Sequence, residues 1–117
     1  MGGVNNSMED SITYEVAKRL GWGALSYNRF GMMIGTPPGL KHIRPVPKYG
    51  RTMQDTWLVV EWLIENKFDV IVATEKHGGN VVMFKSQIVK GTDRLAMVRD
   101  LSAARSIALA FLKLEDK

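Results

Sequence analysis

Residues 47–84 write a helix that runs directly into a β-hairpin, and a chain with that order must bury one against the other. Thr52-Met53-Gln54-Asp55 has the form of a helix start. A hydroxyl is placed to accept from the amide three residues on, and an acidic side chain lies near the positive end of the helix dipole. Asp55 stands where a full capping box has Glu or Gln. Met53, Trp57, Val60 and Ile64 follow at i, i+4, i+7 and i+11, flanked by Val59 and Leu63, and this stripe is expected to face a sheet. On that reading Trp57 is a core residue. Asn66-Lys67 offers an αL-tolerant residue and a cation where the helix ends.

Residues 68–74 are dense in β-branched side chains. Val70-Ile71-Val72 is apolar on both faces, which predicts a strand covered on two sides or centrally placed. His77-Gly78-Gly79-Asn80 supplies the positive-φ residues of a tight return, and Val81-Val82-Met83-Phe84 is the partner strand.

Upstream, residues 1–6 read as a flexible terminus, and Ser7 or Asp10 as the cap of a first helix with Ile12, Val16 and Leu20 on one face, closed by Gly21. Residues 22–27 look extended, and Asn28-Arg29-Phe30-Gly31 looks like a turn into Met32-Met33-Ile34, a second and shorter hairpin whose apolar residues are read as core. Downstream, residues 86–99 read as a mixed connection with a short strand at Gln87-Ile88-Val89 and a turn at Lys90-Gly91-Thr92-Asp93. Asp100 or Ser102 then caps a last helix with Leu101, Ala104, Ala108, Phe111 and Leu112 on its apolar face, extended by Leu114. Residues 115–117 are a solvated tail. The fold class expected is α/β (α+β): an antiparallel, hairpin-based sheet sandwiched by helices, in one domain over residues 7–114.

All four prolines fall between residues 35 and 51, which predicts a long loop. The same segment carries Lys41, His42, Arg44, Lys48 and Arg51 and no Asp or Glu. It ends on the helix at Thr52, whose free first-turn amides add to the cations. Lys41, His42, Arg44, Lys48, Tyr49, Arg51 and Thr52 are therefore the candidate ligand-binding residues for an anion, with Tyr49 or Trp57 as a ring for a base to stack on. The alternative reading of this loop is a solvated basic surface.

Other chemistries find little support. The chain has no cysteine, which removes disulfides, thiolate metal sites and a cysteine nucleophile. His42 and His77 lie far apart with no third ligand at a useful spacing, so no metal is expected. Ser102 and Ser106 fit a cap and a small packing residue better than a nucleophile, and no Gly-Lys-Ser/Thr triplet exists, so neither catalysis nor a cofactor is expected. No apolar run is long enough to span a bilayer, and no membrane partner is expected. The net charge of +4 leaves nucleic acid as a less favoured partner, with Arg29 and the loop cations on phosphates and Tyr27, Phe30 and Tyr49 as rings.

The order of motifs resembles the phage ABA sandwich domain family: Arg19-Leu20-Gly21-Trp22 closing the first helix, Pro47-Lys48-Tyr49 before a helix with Asp55 and Trp57, a hairpin, and an alanine-rich last helix from Ser102 to Leu112. That resemblance implies a helix–sheet–helix sandwich from a phage or prophage, acting in the cytoplasm of the bacterial host as a small accessory protein. The basic segment 35–51 departs from the simpler members of the family. Together these lead to an expected function as a counter-defence protein, a homo-oligomer that binds and sequesters a small phosphorylated, nucleotide-like signal. The alternative is direct inhibition of a host defence protein.

Overall fold

The computed structural model of the chain describes residues 8–79 and 81–114. Among these residues three helices and two three-stranded antiparallel sheets form a mixed α+β sheet–helix sandwich, in the order α1 (Met8–Leu20), β1 (Gly23–Tyr27), β2 (Met33–Thr36), β3 (Arg44–Pro45), α2 (Met53–Glu65), β4 (Asp69–His77), β5 (Val81–Lys90), β6 (Asp93–Asp100) and α3 (Ala103–Lys113). The expected class is the one observed. The terminal stretches 1–6 and 115–117 lie outside the described residues.

The helix-to-hairpin unit forms as its local signals require. Thr52 caps α2, its hydroxyl accepting from the Asp55 amide at 3.2 Å. At the other end the Phe68 amide donates to the Leu63 carbonyl at 2.9 Å and the Lys67 amide to the Ile64 carbonyl at 3.0 Å. These two bonds make a Schellman ending, with Lys67 rather than glycine in the left-handed position at φ 73°. β4 and β5 then pair from Asp69↔Val89 to His77↔Val81.

The face that α2 buries is not the one its strictest spacing suggested. Thr56, Val59, Val60 and Leu63 point inward, while Met53 and Ile64 are exposed and Trp57 is 51% exposed. Trp57 is thus a surface residue, a correction to its reading as core. The cause is a buried amide outside the helix: the fully buried Thr56 hydroxyl accepts from the Gly50 amide at 2.8 Å and donates to the Thr52 carbonyl at 2.6 Å. Holding Thr56 inward rotates the stripe outward.

The sheet order β4-β5-β6 also differs from expectation. Residues 86–99 are not a mixed connection. β5 runs on to Lys90, turns, and pairs with β6 from Lys90↔Asp93 to Phe84↔Asp100. β5 is therefore the central strand and β4 an edge, and Ile71 and Val72 are about half exposed rather than covered. Their β-branched density reported strand propensity, not central placement. α3 is capped by Ser102, whose hydroxyl accepts from the Arg105 amide at 3.1 Å. It packs on β5 and β6 and also against α1 and α2, its Phe111 ring standing edge-on to Trp62 of α2 with centres 5.5 Å apart. The buried Ser86 and Ser106 hydroxyls pair at 2.7 Å across the contact with β5. Leu101, expected on the apolar face, is exposed.

α1 ends at Gly21 with φ 105°, as its sequence predicts. Asp10 lies inside this helix, not at its cap, and Ser7 lies outside the described residues. The segment 35–51 is more structured than a loop: Gly35 and Thr36 finish β2, and Arg44 and Pro45 pair with it as β3.

Candidate functional site

The chain forms a cleft of about 280 Å³ where α1, the β1–β2 hairpin and the turn ahead of α2 meet. Asp10 and Thr13 come from α1, Tyr27, Phe30, Met32 and Met33 from the hairpin, and Val46, Lys48 and Arg51 from the turn.

Each wall is fixed by short-range hydrogen bonds. In the hairpin turn the Asn28 carboxamide oxygen accepts from the Phe30 and Met32 amides, both at 2.9 Å, and the Asn28 amide donates to the Met32 carbonyl at 2.9 Å. Gly31 supplies the φ of 79° that closes the turn. Phe30 is left 78% exposed at the rim with the Arg29 guanidinium 5.3 Å from its ring centre. Met32 is exposed too, so only Met33 of this apolar run is the core residue expected.

On the opposite wall the Val46 amide donates to the Met33 carbonyl at 3.0 Å and the Arg51 amide to the Lys48 carbonyl at 3.0 Å. Asp55 reaches back over the first turn of α2, its carboxylate accepting from the Lys48 amide at 2.7 Å. The helix start is thus partly served by the chain's own carboxylate. The Thr52 hydroxyl is likewise engaged with the Asp55 amide.

The candidate residues separate into three groups. Lys48 and Arg51 line the cleft, and Thr52 follows them as the cap. Lys41, His42 and Arg44 are exposed and lie outside its lining. Tyr49 is in the core, 3% exposed, with its hydroxyl accepting from Trp22 Nε1 at 3.2 Å and its carbonyl accepting from the Thr13 hydroxyl at 2.7 Å. A ring so enclosed offers no face to a base. The aromatic side chains that do line the cleft are Tyr27 and Phe30.

Asp10 is the charged lining residue that sequence reasoning missed. It stands 3.9 Å from Arg51, a loose pair with both side chains partly exposed. Nothing local in the sequence joins a first-helix carboxylate to a cation 41 positions later. Burial pushes the Tyr27 phenol above its ordinary pKa, and the Asp10 carboxylate adds to that rise. Tyr27 is therefore a neutral hydrogen-bonding phenol at physiological pH.

No protein-family model matches the chain, and neither a curated protein nor a solved structure matches it.

Proposed function

We propose that this cleft binds a small phosphorylated molecule of the nucleotide type and holds it without chemical change. One observation carries the reading: two cations, Lys48 and Arg51, and two aromatic residues, Tyr27 and Phe30, line the same small cleft. Ammonium and guanidinium groups suit phosphate oxygens, and the rings suit a base. Asp10 adds an acceptor for a ribose hydroxyl or a base amino group. At about 280 Å³ the space falls just below the usual range of ligand sites, which begins at roughly 300 Å³, and so favours a single nucleotide unit over a larger ligand. Joined to the resemblance to phage ABA sandwich proteins, the reading becomes sequestration of a host signalling nucleotide by a phage counter-defence protein.

A nucleotide panel tests it by thermal unfolding. A ligand at about 100 times its dissociation constant adds about 2.7 kcal/mol of stability. Lys48→Ala with Arg51→Ala removes that gain, and a shift that survives the pair of substitutions places the ligand elsewhere. The bound compound, released by denaturation, is recovered intact.

The second reading, inhibition of a host protein by direct contact, is favoured by α2. Met53, Trp57 and Ile64 leave an apolar stripe in water, and tryptophan is the side chain most enriched at binding hot spots. Native mass spectrometry of protein from infected cells separates the two: a small phosphorylated passenger supports the first, an attached polypeptide the second.

A further inference from the structure

The strand at the edge of a sheet exposes a row of backbone donors and acceptors, and among the described residues every edge strand but one carries a device against further pairing. β1 is irregular between Gly23 and Ser26, with Ala24 at φ 49°. β3 is two residues long and includes Pro45. β6 bulges at Leu95, between Arg94 paired to Val89 and Ala96 paired to Ile88, and the Lys113 ammonium donates to its Met97 carbonyl at 3.1 Å. β4 is the exception. Its nine residues pair with β5 without a slip, none is proline or glycine, and its charged residues Asp69, Glu75 and Lys76 stand toward its ends. Among the described residues no element other than β5 hydrogen-bonds to the backbone of residues 69–74. Val72, on the same side of the sheet as Ser86 and α3, is 42% exposed, and Ile71, on the opposite side, is 48% exposed.

We propose that β4 pairs antiparallel with β4 of a second copy of the chain, about a two-fold axis at Ile71, joining two three-stranded sheets into one. An edge of unpaired N–H and C=O groups calls for another strand. Lipid cannot satisfy such groups, and among the described residues no helix is long and apolar enough to cross a membrane. The fit of β4 to itself selects a second copy. Two-fold antiparallel pairing keeps each residue on its own side of the sheet and sets it against the residue equally far beyond the axis. An axis at Val72 would set Asp69 against the partner's Glu75, and an axis at Glu75 would set that carboxylate against its own copy. An axis at Ala73 would set Ile71 against the partner's Glu75, and one at Thr74 would set Val72 against the partner's Lys76. With the axis at Ile71, that residue meets the partner's Ile71, Val72 meets the partner's Val70, and Asp69 meets the partner's Ala73. Both half-exposed side chains gain β-branched partners and no like charges meet. None of the residues lining the nucleotide cleft belongs to β4, so the pairing is independent of that site.

Single introduced cysteines report the register directly, because the chain has none of its own. Directly opposed residues have Cβ atoms about 4.5–5.5 Å apart and diagonal ones stand about 7–8 Å apart, so the opposed residues are the ones that a disulfide bridges with little movement. On mild oxidation Ile71→Cys cross-links to its own copy. Val70→Cys and Val72→Cys each stay uncross-linked alone and cross-link when mixed. In sedimentation velocity the parent chain shifts from monomer to dimer as its concentration rises. Ile71→Lys sets like charges opposite each other across the axis and stays a monomer at concentrations where the parent is a dimer, with its circular dichroism spectrum unchanged. A parent that is monomeric at every concentration overturns the proposal, as does cross-linking of Ala73→Cys in preference to Ile71→Cys. A dimer that survives Ile71→Lys and is lost in Trp57→Ser overturns it and assigns the interface to α2. Cross-linking of Ile71→Cys to a foreign polypeptide, with no dimer of the parent, overturns it and assigns the edge to another protein's strand.

Discussion

The Thr13 hydroxyl of α1 donates to the Tyr49 carbonyl at 2.7 Å, a buried bond across 36 residues that fixes the first helix to the turn carrying Lys48 and Arg51. It joins the two walls of the cleft. Thr13→Val keeps the shape and removes the donor, leaving a buried carbonyl unpaired at a cost of about 1–3 kcal/mol. Urea unfolding reads this directly, and Thr13→Ser restores most of it. A Thr13→Val protein as stable as the parent would mean that the cleft walls are held by packing alone.

Gly50 lies one residue beyond that carbonyl, with φ of +85°. A Cβ there would meet Ile12 Cγ2 at 2.9 Å and Ala108 Cβ at 3.1 Å, so α1 and α3 both crowd the position. Gly50→Ala combines left-handed strain with overpacking, each of about 1–3 kcal/mol. Gly39 also has positive φ but open space around it, and Gly39→Ala costs only the strain. Thermal unfolding of the two variants separates these terms.

Trp57 and Leu63 lie on the same helix with opposite exposure. Leu63→Ala opens a cavity in the core and costs about 2–5 kcal/mol. Trp57→Ser changes stability by less than about 1 kcal/mol, because the ring is already half in water. If Trp57 also carries a protein interface, the same substitution abolishes partner binding while the unfolding midpoint stays put.

Tyr49 makes stability sensitive to alkali. Burial raises its phenol pKa above the ordinary value near 10, the Trp22 N–H opposes that rise, and the Asp55 carboxylate adds to it. The folded pKa thus exceeds the unfolded one. Unfolded chains lose the phenol proton first, so the stabilisation is fully present below about pH 10 and is lost as pH rises through the folded value. Urea midpoints measured across that window fall with pH, and Tyr49→Phe flattens the slope while costing the Trp22 hydrogen bond at all pH values. An unchanged slope in Tyr49→Phe would assign the alkaline loss to other groups.

The signals that proved legible in the sequence are those that act over a few residues. Thr52 and Ser102 cap their helices because their hydroxyls lie three residues from the amides they serve. Gly21 ends α1 and the glycines after His77 return the hairpin because only a local φ is at stake. The candidate site was half legible for the same reason. Lys48 and Arg51 stand out as cations before a helix, yet Lys41, His42 and Arg44, equally prominent in the sequence, are carried outside the cleft lining by the β3 pairing.

Sequence alone determined the three helices, the two hairpins, the Thr52 and Ser102 caps and the concentration of positive charge ahead of α2, since each depends on neighbours in the chain, but not β3 or β6. Tertiary structure decided which faces those elements bury. Thr56 turns inward to serve the Gly50 amide and takes Trp57 out to solvent, Tyr49 goes into the core to meet Trp22 and Thr13, and Asp10 arrives opposite Arg51 from the far end of the segment. The stripe through Trp57 and the one through Thr56 are neighbouring faces of a single helix. A buried amide in need of an acceptor, supplied from outside the helix, settled the choice between them.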